Sequence, residues 1–378
     1  MIYFDNSATT KPIPEVIETV CNSLSSDTLF GNPGSLHELG TIVTKEYNNQ
    51  FKAIASVLHC YENELYFTSC ATESANTAIL GYITRHKREG NIIISTRTEH
   101  KATLETLKKA EEFGFIIKFV DVDRNGKPKL DMLEELISDE VILMCFTHVN
   151  NETGSILPLD EIVNIRNKKN RKIAIYLDMV QSVGKLAIDL KKMNIEMGSF
   201  SGHKIHSVKG TGLLYVKAGV SINPYILGGG QQNNMRSGTQ SLVLAEAFRV
   251  ALEEAYKHFD ESHETVHEIN KFLREELVKR EAVILSPDDA LDYVLNVSFK
   301  GFESETMLHC LEKYGIYVST ISACSSKTKK VSYVLLDMGI DRKTAGNSIR
   351  LSFSRFNTME EAKTFIASVD EIYKLFAL

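Results

Sequence analysis

The chain has 378 residues, 43% of them hydrophobic and 24% charged, with a formal net charge of −6. That length supports a large core and more than one structural unit. The balance is that of an ordinary globular protein, without the basic excess of a general nucleic-acid binder and without an apolar run near the roughly 20 residues that span a bilayer.

The start, MIYFDNSATT, enters structure at once and lacks the basic head and apolar core of a signal peptide. From there the sequence predicts strands over residues 65–68, 91–96, 116–122, 141–147, 173–177 and 197–200, with helices over 73–88 and 102–113 between them. Continuous apolar strands separated by helices argue for a mainly parallel sheet covered on both faces. Gly210-Thr211-Gly212 followed by 213–216 suggests a strand that returns antiparallel nearby. Residues 242–280 read as one long charged helix without internal Pro or Gly, a bridge into a smaller α+β unit. There, strands are expected over 293–299 and 349–353, and helices over 305–314 and 360–376. The six cysteines show no paired spacing, which suits a reducing cytoplasm. Cys60, Cys70 and Cys145 lie in or beside apolar stretches and read as small core residues.

Ser199-Phe200-Ser201-Gly202-His203-Lys204 closes an apolar strand with a lysine on a short loop. Ligands of open α/β sheets bind at the carboxyl ends of strands. A desolvated amine there suits Schiff-base chemistry, although a surface lysine is the plainer alternative. Asp178 ends the apolar run 173–177, where a buried carboxylate needs a cation such as a protonated pyridine nitrogen, or caps a helix. Ser69 to Ser74 joins a strand to a helix and forms either an anion site or a simple cap. His100 follows another strand, where an imidazole can stack on a cofactor ring and relay protons, or be merely structural. The cluster 148–152 offers amides that can anchor a cofactor oxygen or a substrate carboxylate. Neither a G-x-x-x-x-G-K-[ST] nor a G-x-G-x-x-G loop is present, which argues against nucleotide triphosphates and dinucleotides.

Eight segments then fall in one order: YFDNSATT (3–10), FGNPGS (30–35), FTSCATES (67–74), TEHKA (98–102), HVNNETG (148–154), SFSGHK (199–204), MRSGT (235–239) and SAC (322–324). Together they resemble the cysteine desulfurases of the class V aminotransferase group, pyridoxal-phosphate enzymes of fold type I. The resemblance implies an α/β fold: a large domain over 14–257 with a mainly parallel seven-stranded sheet, and a smaller α+β domain from 1–13 and 258–378 that carries a loop at about 319–332. It implies that Lys204 binds pyridoxal 5′-phosphate covalently, Asp178 pairs with the pyridine nitrogen, Gln181 bonds the phenolic oxygen and His100 stacks on the ring. Thr72, Ser201 and His203 match the phosphate contacts, and Ala71 and Asn151 also belong to the cofactor site. Thr239 would complete the phosphate cup from the other subunit of a homodimer. Asn151 and Arg350 match the positions that hold the carboxylate of the substrate, L-cysteine. The freed lysine moves the α-proton, and the thiolate of Cys324 takes the sulfur as a persulfide while alanine leaves. An acceptor protein of iron–sulfur cluster assembly or tRNA thiolation receives that sulfur. No metal, membrane or direct nucleic-acid partner is implied.

The sequence departs from the resemblance in places. Family members often have Gly at the position of Ile321 and Pro near Val331. Met179-Val180 replaces smaller residues; Val180 is placed against the ring face opposite His100, and Met179 has no assigned place. Lys327, Lys329 and Lys330 form either a solvated basic face or a group that activates Cys324 or receives an acidic partner. The chain ends at Leu378 soon after its last helix, whereas housekeeping relatives carry a further segment that contacts an iron–sulfur scaffold; a tRNA-thiolating sulfurtransferase is the acceptor this suggests. The competing functions are a selenocysteine lyase, a cysteine sulfinate desulfinase or an aminotransferase of the same group, and a weakly active or non-catalytic partner that keeps the fold.

Overall fold

The computed structural model describes residues 1–320 and 331–376. Its strands are β1 (Ile2–Tyr3), β2 (Leu65–Thr68), β3 (Ile92–Thr96), β4 (Ile116–Val120), β5 (Val141–Thr147), β6 (Ala174–Asp178), β7 (Met197–Ser201), β8 (Gly212–Val216), β9 (Val283–Ile284), β10 (Val294–Ser298), β11 (Ile316–Tyr317) and β12 (Ser348–Ser352). Seven of them form one sheet in the order β2-β8-β7-β6-β5-β3-β4. Only β8 runs against its neighbours; the other pairings are parallel. The protein is thus an α/β fold around a mainly parallel seven-stranded sheet, with the return strand where the sequence indicates it.

The central strands are apolar throughout because both faces are covered. Ile175 and Leu177 of β6 feed one core, while Ala174 and Tyr176 feed the other. The helix Ala71–His86 buries Ala75, Ala78, Ile79, Tyr82 and Ile83 on the second of these faces. A separate three-stranded antiparallel sheet, β12-β10-β9, has its own apolar core with the helices Phe259–Val278 and Met359–Leu375. The first residues join it: β1 pairs with β11, and Asp5 bridges to Ser352.

The expected single helix over 242–280 is two, Leu242–Lys257 and Phe259–Val278, broken at His258. Lys257 ends the first, while Asp260 and Glu261 open the second. Each sign of charge meets the helix end that favours it. Tyr256 stacks on Phe259 across the joint, ring centroids 5.8 Å apart.

β3, β5, β6 and β7 pair in parallel, and β2, on the far side of the antiparallel β8, runs in the same direction, so their carboxyl ends share one edge of the sheet. Every site residue read from the large sheet lies just beyond that edge.

Candidate active site

A cavity of about 240 Å³ opens at this edge, and its walls include Ala71, Thr72, His100, Asn151, Asp178, Gln181, Ser201, His203 and Lys204. Nine expected residues from five strand ends therefore meet in one place. Arg350 borders the site from behind rather than lining the cavity. Its side chain is buried, with Nη1 donating to the Asn151 carbonyl at 2.9 Å and Nη2 to Asp5 Oδ1 at 2.8 Å, while Nε is buried with no partner among the described residues. Thr239 is exposed and stands away from the cavity within one chain. Cys324, Ile321, Lys327, Lys329 and Lys330 lie outside the described residues.

Lys204 follows β7 through a short 3₁₀ turn, Gly202–Lys204. A β-carbon on Gly202 would fall 2.1 Å from Thr211 Oγ1, so glycine lets the turn pack closely against Thr211, just before β8. The Lys204 ammonium donates to the carbonyls of Ser7 (2.5 Å) and Ala8 (2.6 Å). Burial and the nearby Arg350 charge pull its pKa down to about 8, against the opposing pull of Asp5 and Asp178. The amine is therefore far more available near neutral pH than an ordinary lysine. Asp178 is buried at the end of β6, and Oδ1 accepts from the Val180 N–H at 3.0 Å. Burial raises its proton affinity, only partly offset by His100, that N–H and Lys204. A cation on the cavity side is what such a carboxylate lacks.

His100 is the N-cap of the helix Lys101–Glu112, and its Nδ1 accepts from the Ala102 N–H at 3.1 Å. The neutral ring then carries its proton on Nε2. His203 meets Thr9 Oγ1 through Nδ1 at 3.2 Å. Burial and the charges of Lys204 and Lys209 lower its pKa to about 4, so it is neutral. In the 148–152 cluster the two amides divide the work. Asn150 is structural, accepting from Glu152 and Thr153 N–H and donating to the Thr98 carbonyl, whereas Asn151 faces the cavity.

The helix Ala71–His86 starts without a side-chain cap, because Cys70 stands at that position. Cys70 is half-buried and lines the cavity, which corrects its reading as a small core residue. The apolar stretch that suggested a core position ends at Thr68, and the helix start turns the thiol outward. Glu73 holds this start together: it accepts from Ser69 N and Oγ (2.8 and 2.6 Å) and from the Arg236 fork (2.8 and 3.3 Å). Burial alone would raise the Glu73 pKa; Arg236 and Ser69 overcome it, and the net shift is downward. Met179 is buried in the core with its sulfur 3.2 Å from where a Gly198 β-carbon would sit, while Val180 lines the cavity.

Several contributors were not singled out from the sequence. Ser7 and Ala8 receive Lys204 through backbone oxygens. Lys185, buried, donates to Gln181 Oε1 at 3.1 Å. Glu99, next to His100, is buried and held by Thr147 and Thr96 hydroxyls at 2.6 and 2.7 Å. The run of small polar residues Asn6 to Thr10 and the four-residue spacing of Gln181 and Lys185 were the available signals.

The family model for class-V aminotransferases matches residues 2–365. The chain belongs to this family. Within it, the similarity is to proteins named cysteine desulfurase. The cysteine desulfurase IscS of Methanosarcina thermophila is 37% identical over 373 residues, covering 98% of this chain and 91% of that protein. A solved NifS-like protein superposes with a TM-score of 0.94 at 35% identity, covering 99% of each chain. A structure described as SspA in complex with cysteine gives 0.83 at 30% identity, covering 95% of this chain and all of that one.

The family depends on pyridoxal phosphate, and the cavity suits that group. It offers a lysine of depressed proton affinity and a buried carboxylate that forms no salt bridge among the described residues. At the other end the helix start has no side-chain cap, so its first N–H groups are free for a phosphate. Ser7 Oγ, in the same wall, is buried without a hydrogen-bond partner.

Proposed function

We propose that the chain is a cysteine desulfurase that takes sulfur from L-cysteine, releases L-alanine and carries the sulfur as a persulfide on Cys324. The observation that carries this reading is Lys204, an amine of lowered pKa held at the end of β7 in the same cavity as Asp178 and His100.

In this reading Lys204 anchors pyridoxal phosphate, which when bound supplies an electron sink for the α-carbon of cysteine. Asp178 would pair with the pyridine nitrogen, Gln181 would donate to the phenolic oxygen and His100 would stack on the ring. Ala71 and Thr72, at the helix start, hold the phosphate with Ser201 and His203. Asn151, on the cavity wall, and Arg350, which would have to turn its guanidinium away from Asp5 and the Asn151 carbonyl, are taken as the holders of the substrate carboxylate. Lys204, with its lowered proton affinity, would move the proton at the α-carbon of bound cysteine. The Cys324 thiolate attacks the substrate sulfur; a sulfur–sulfur bond forms, the carbon–sulfur bond breaks, and its electron pair stays with the fragment that leaves, protonated, as alanine.

Residues 14–257 are taken as the cofactor-binding domain, and 1–13 with 258–378 as the smaller one; the apolar core around β10 and β12, distinct from the two that cover the large sheet, supports this division. A homodimer is supported by the exposed apolar side chains of Phe30, Leu36 and Leu227, and by Thr239 standing free to reach a second copy. A cytoplasmic setting accords with the five described cysteines all being free. The sulfur passes to an acceptor protein of iron–sulfur cluster assembly or tRNA thiolation.

The decisive measurement pairs a visible spectrum with alanine release from cysteine. Wild type is expected to show the cofactor band and release alanine; Lys204→Ala loses the band. Cys324→Ser keeps the band and loses alanine release by at least a hundredfold. Wild-type alanine release from Cys324→Ser would remove Cys324 from the reaction.

A further inference from the structure

Lys185 is a buried lysine directly behind the site, in the turn that follows Asp178. The backbone bonds Val183 N to Met179 O and Leu186 N to Ser182 O wind residues 179–186 helically, so Gln181 and Lys185 lie on one side. Its ammonium donates to Gln181 Oε1 at 3.1 Å and stands 5.8 Å from the centroid of the Tyr293 ring. His263 Nε2 fixes its carbonyl at 2.7 Å. The charged and titratable groups around it are Lys204, Arg350, His206 and Arg355. Among the described residues no carboxylate pairs with it. A buried ammonium without an anion is costly; burial, Lys204 and Arg350 lower its pKa to about 7, so the ammonium is the form on the acid side of that value, and its side-chain acceptor among the described residues is an amide oxygen.

That amide has an acceptor oxygen and two N–H donors. The oxygen takes Lys185, and Nε2 gives one hydrogen to the Ser7 carbonyl at 3.0 Å. Gln181 also borders the cavity, which leaves the second N–H for a ligand. Turning the amide over would set its oxygen against the Ser7 carbonyl at any pH and, while Lys185 is protonated, its NH₂ against the ammonium. We propose that Lys185 is a positioning residue that locks the Gln181 amide with an N–H, never its oxygen, toward the phenolic oxygen of the cofactor. The proposal rests on the pyridoxal-phosphate reading above.

The test is a pH titration of the visible band of the cofactor-loaded protein in wild type, Lys185→Met, Gln181→Leu, the double variant and Lys185→Arg. A donor to the phenolic oxygen favours its unprotonated form, so losing the donor raises the midpoint. Lys185→Met is expected to raise it by about one pH unit, the worth of one hydrogen bond to a charged oxygen. In the Gln181→Leu background the same substitution should move it no further, and Lys185→Arg, which keeps a donor, should hold the wild-type midpoint. Equal shifts in both backgrounds would mean that Lys185 acts as a charge alone, and an unmoved midpoint in Lys185→Met would mean that it does not act; either overturns the proposal. Lys185→Gln, too short to reach the amide oxygen, carries the same expectation if the methionine variant does not fold. A wild-type protein that binds no pyridoxal phosphate would instead overturn the underlying reading, so the two failures are distinct.

Discussion

Arg350 and Asp5 form an ion pair, Nη2 to Oδ1 at 2.8 Å, across a separation of 345 residues. Both are well covered, with side-chain exposures of 7% and 20%. The pair ties β12 to the segment that receives Lys204. Removing one member leaves the other charge covered and unpaired. Asp5→Ala is therefore expected to lose about 3 kcal/mol of stability, read by urea unfolding of the cofactor-free protein. A loss below about 1 kcal/mol, the range of exposed pairs, would show that the pair does not hold these segments together.

The lowered proton affinity of Lys204 sets a pH for its reactivity. Its free-amine fraction rises through a pKa of about 8, where an unperturbed lysine would wait until 10.5. The rate at which cofactor-free protein takes up pyridoxal phosphate should climb with pH and level off above this midpoint. Stopped-flow absorbance checks it; a rate still climbing tenfold per unit beyond pH 9 would contradict the burial argument.

Glu99 should make the fold less stable as pH rises through the mildly acidic and neutral range. Burial raises its pKa to about 8, with the Thr147 and Thr96 hydroxyls pulling it back and the Asp178 charge adding to the rise. Between the ordinary value of 4.5 and about 8 the native protein holds a proton that the unfolded chain has released, so stability falls with pH. Glu99→Gln is neutral throughout and escapes this loss. Its stability relative to wild type is expected to grow from pH 5 to pH 8 in urea titrations, and a pH-independent difference would refute the assignment.

Gly202→Ala tests the seat of the lysine loop. The added carbon meets Thr211 Oγ1 at 2.1 Å and the Ser207 β-carbon at 3.1 Å. The expected cost is about 2 kcal/mol, typical of overpacking, with lowered cofactor occupancy. Because Thr211 is the main obstruction, Gly202→Ala with Thr211→Ala should be less damaging than the sum of the single effects by about 1 kcal/mol. Strict additivity in thermal unfolding would place the obstruction elsewhere.

Much of the site was legible because a parallel sheet converts sequence into position. An apolar run such as 141–147 marks a strand, and the polar residues after it must fall on the shared carboxyl edge, as Asn151, Asp178 and Lys204 do. The remainder depended on relations that residue type does not report. Ser7 and Ala8 act through main-chain oxygens, which every residue carries. Lys185 matters only because the turn after β6 winds it back to Gln181. The break at His258 involves neither Pro nor Gly, and its charge signal, Lys257 before Asp260 and Glu261, is easily taken for one continuous polar helix face. Met179 found its place because Gly198, on the adjacent strand, leaves room for the larger side chain.

The wall that receives Lys204 is built from the two ends of the molecule. Phe4 O accepts from Ser352 N at 2.7 Å, and Ser7 N donates to Ser352 Oγ at 2.8 Å. On the ribosome these partners emerge at opposite moments, since synthesis runs from the first residues onward. A nascent chain extended only through β10 already contains Lys204, Asp178 and His100, yet its opening segment has no β12 to lie against. Closing so long a loop carries an entropic cost that the contacts with β12 must offset. Retention of the cofactor is thus expected to need β12, and truncations that spare every residue of the large sheet but remove β12 should yield a protein unable to retain it.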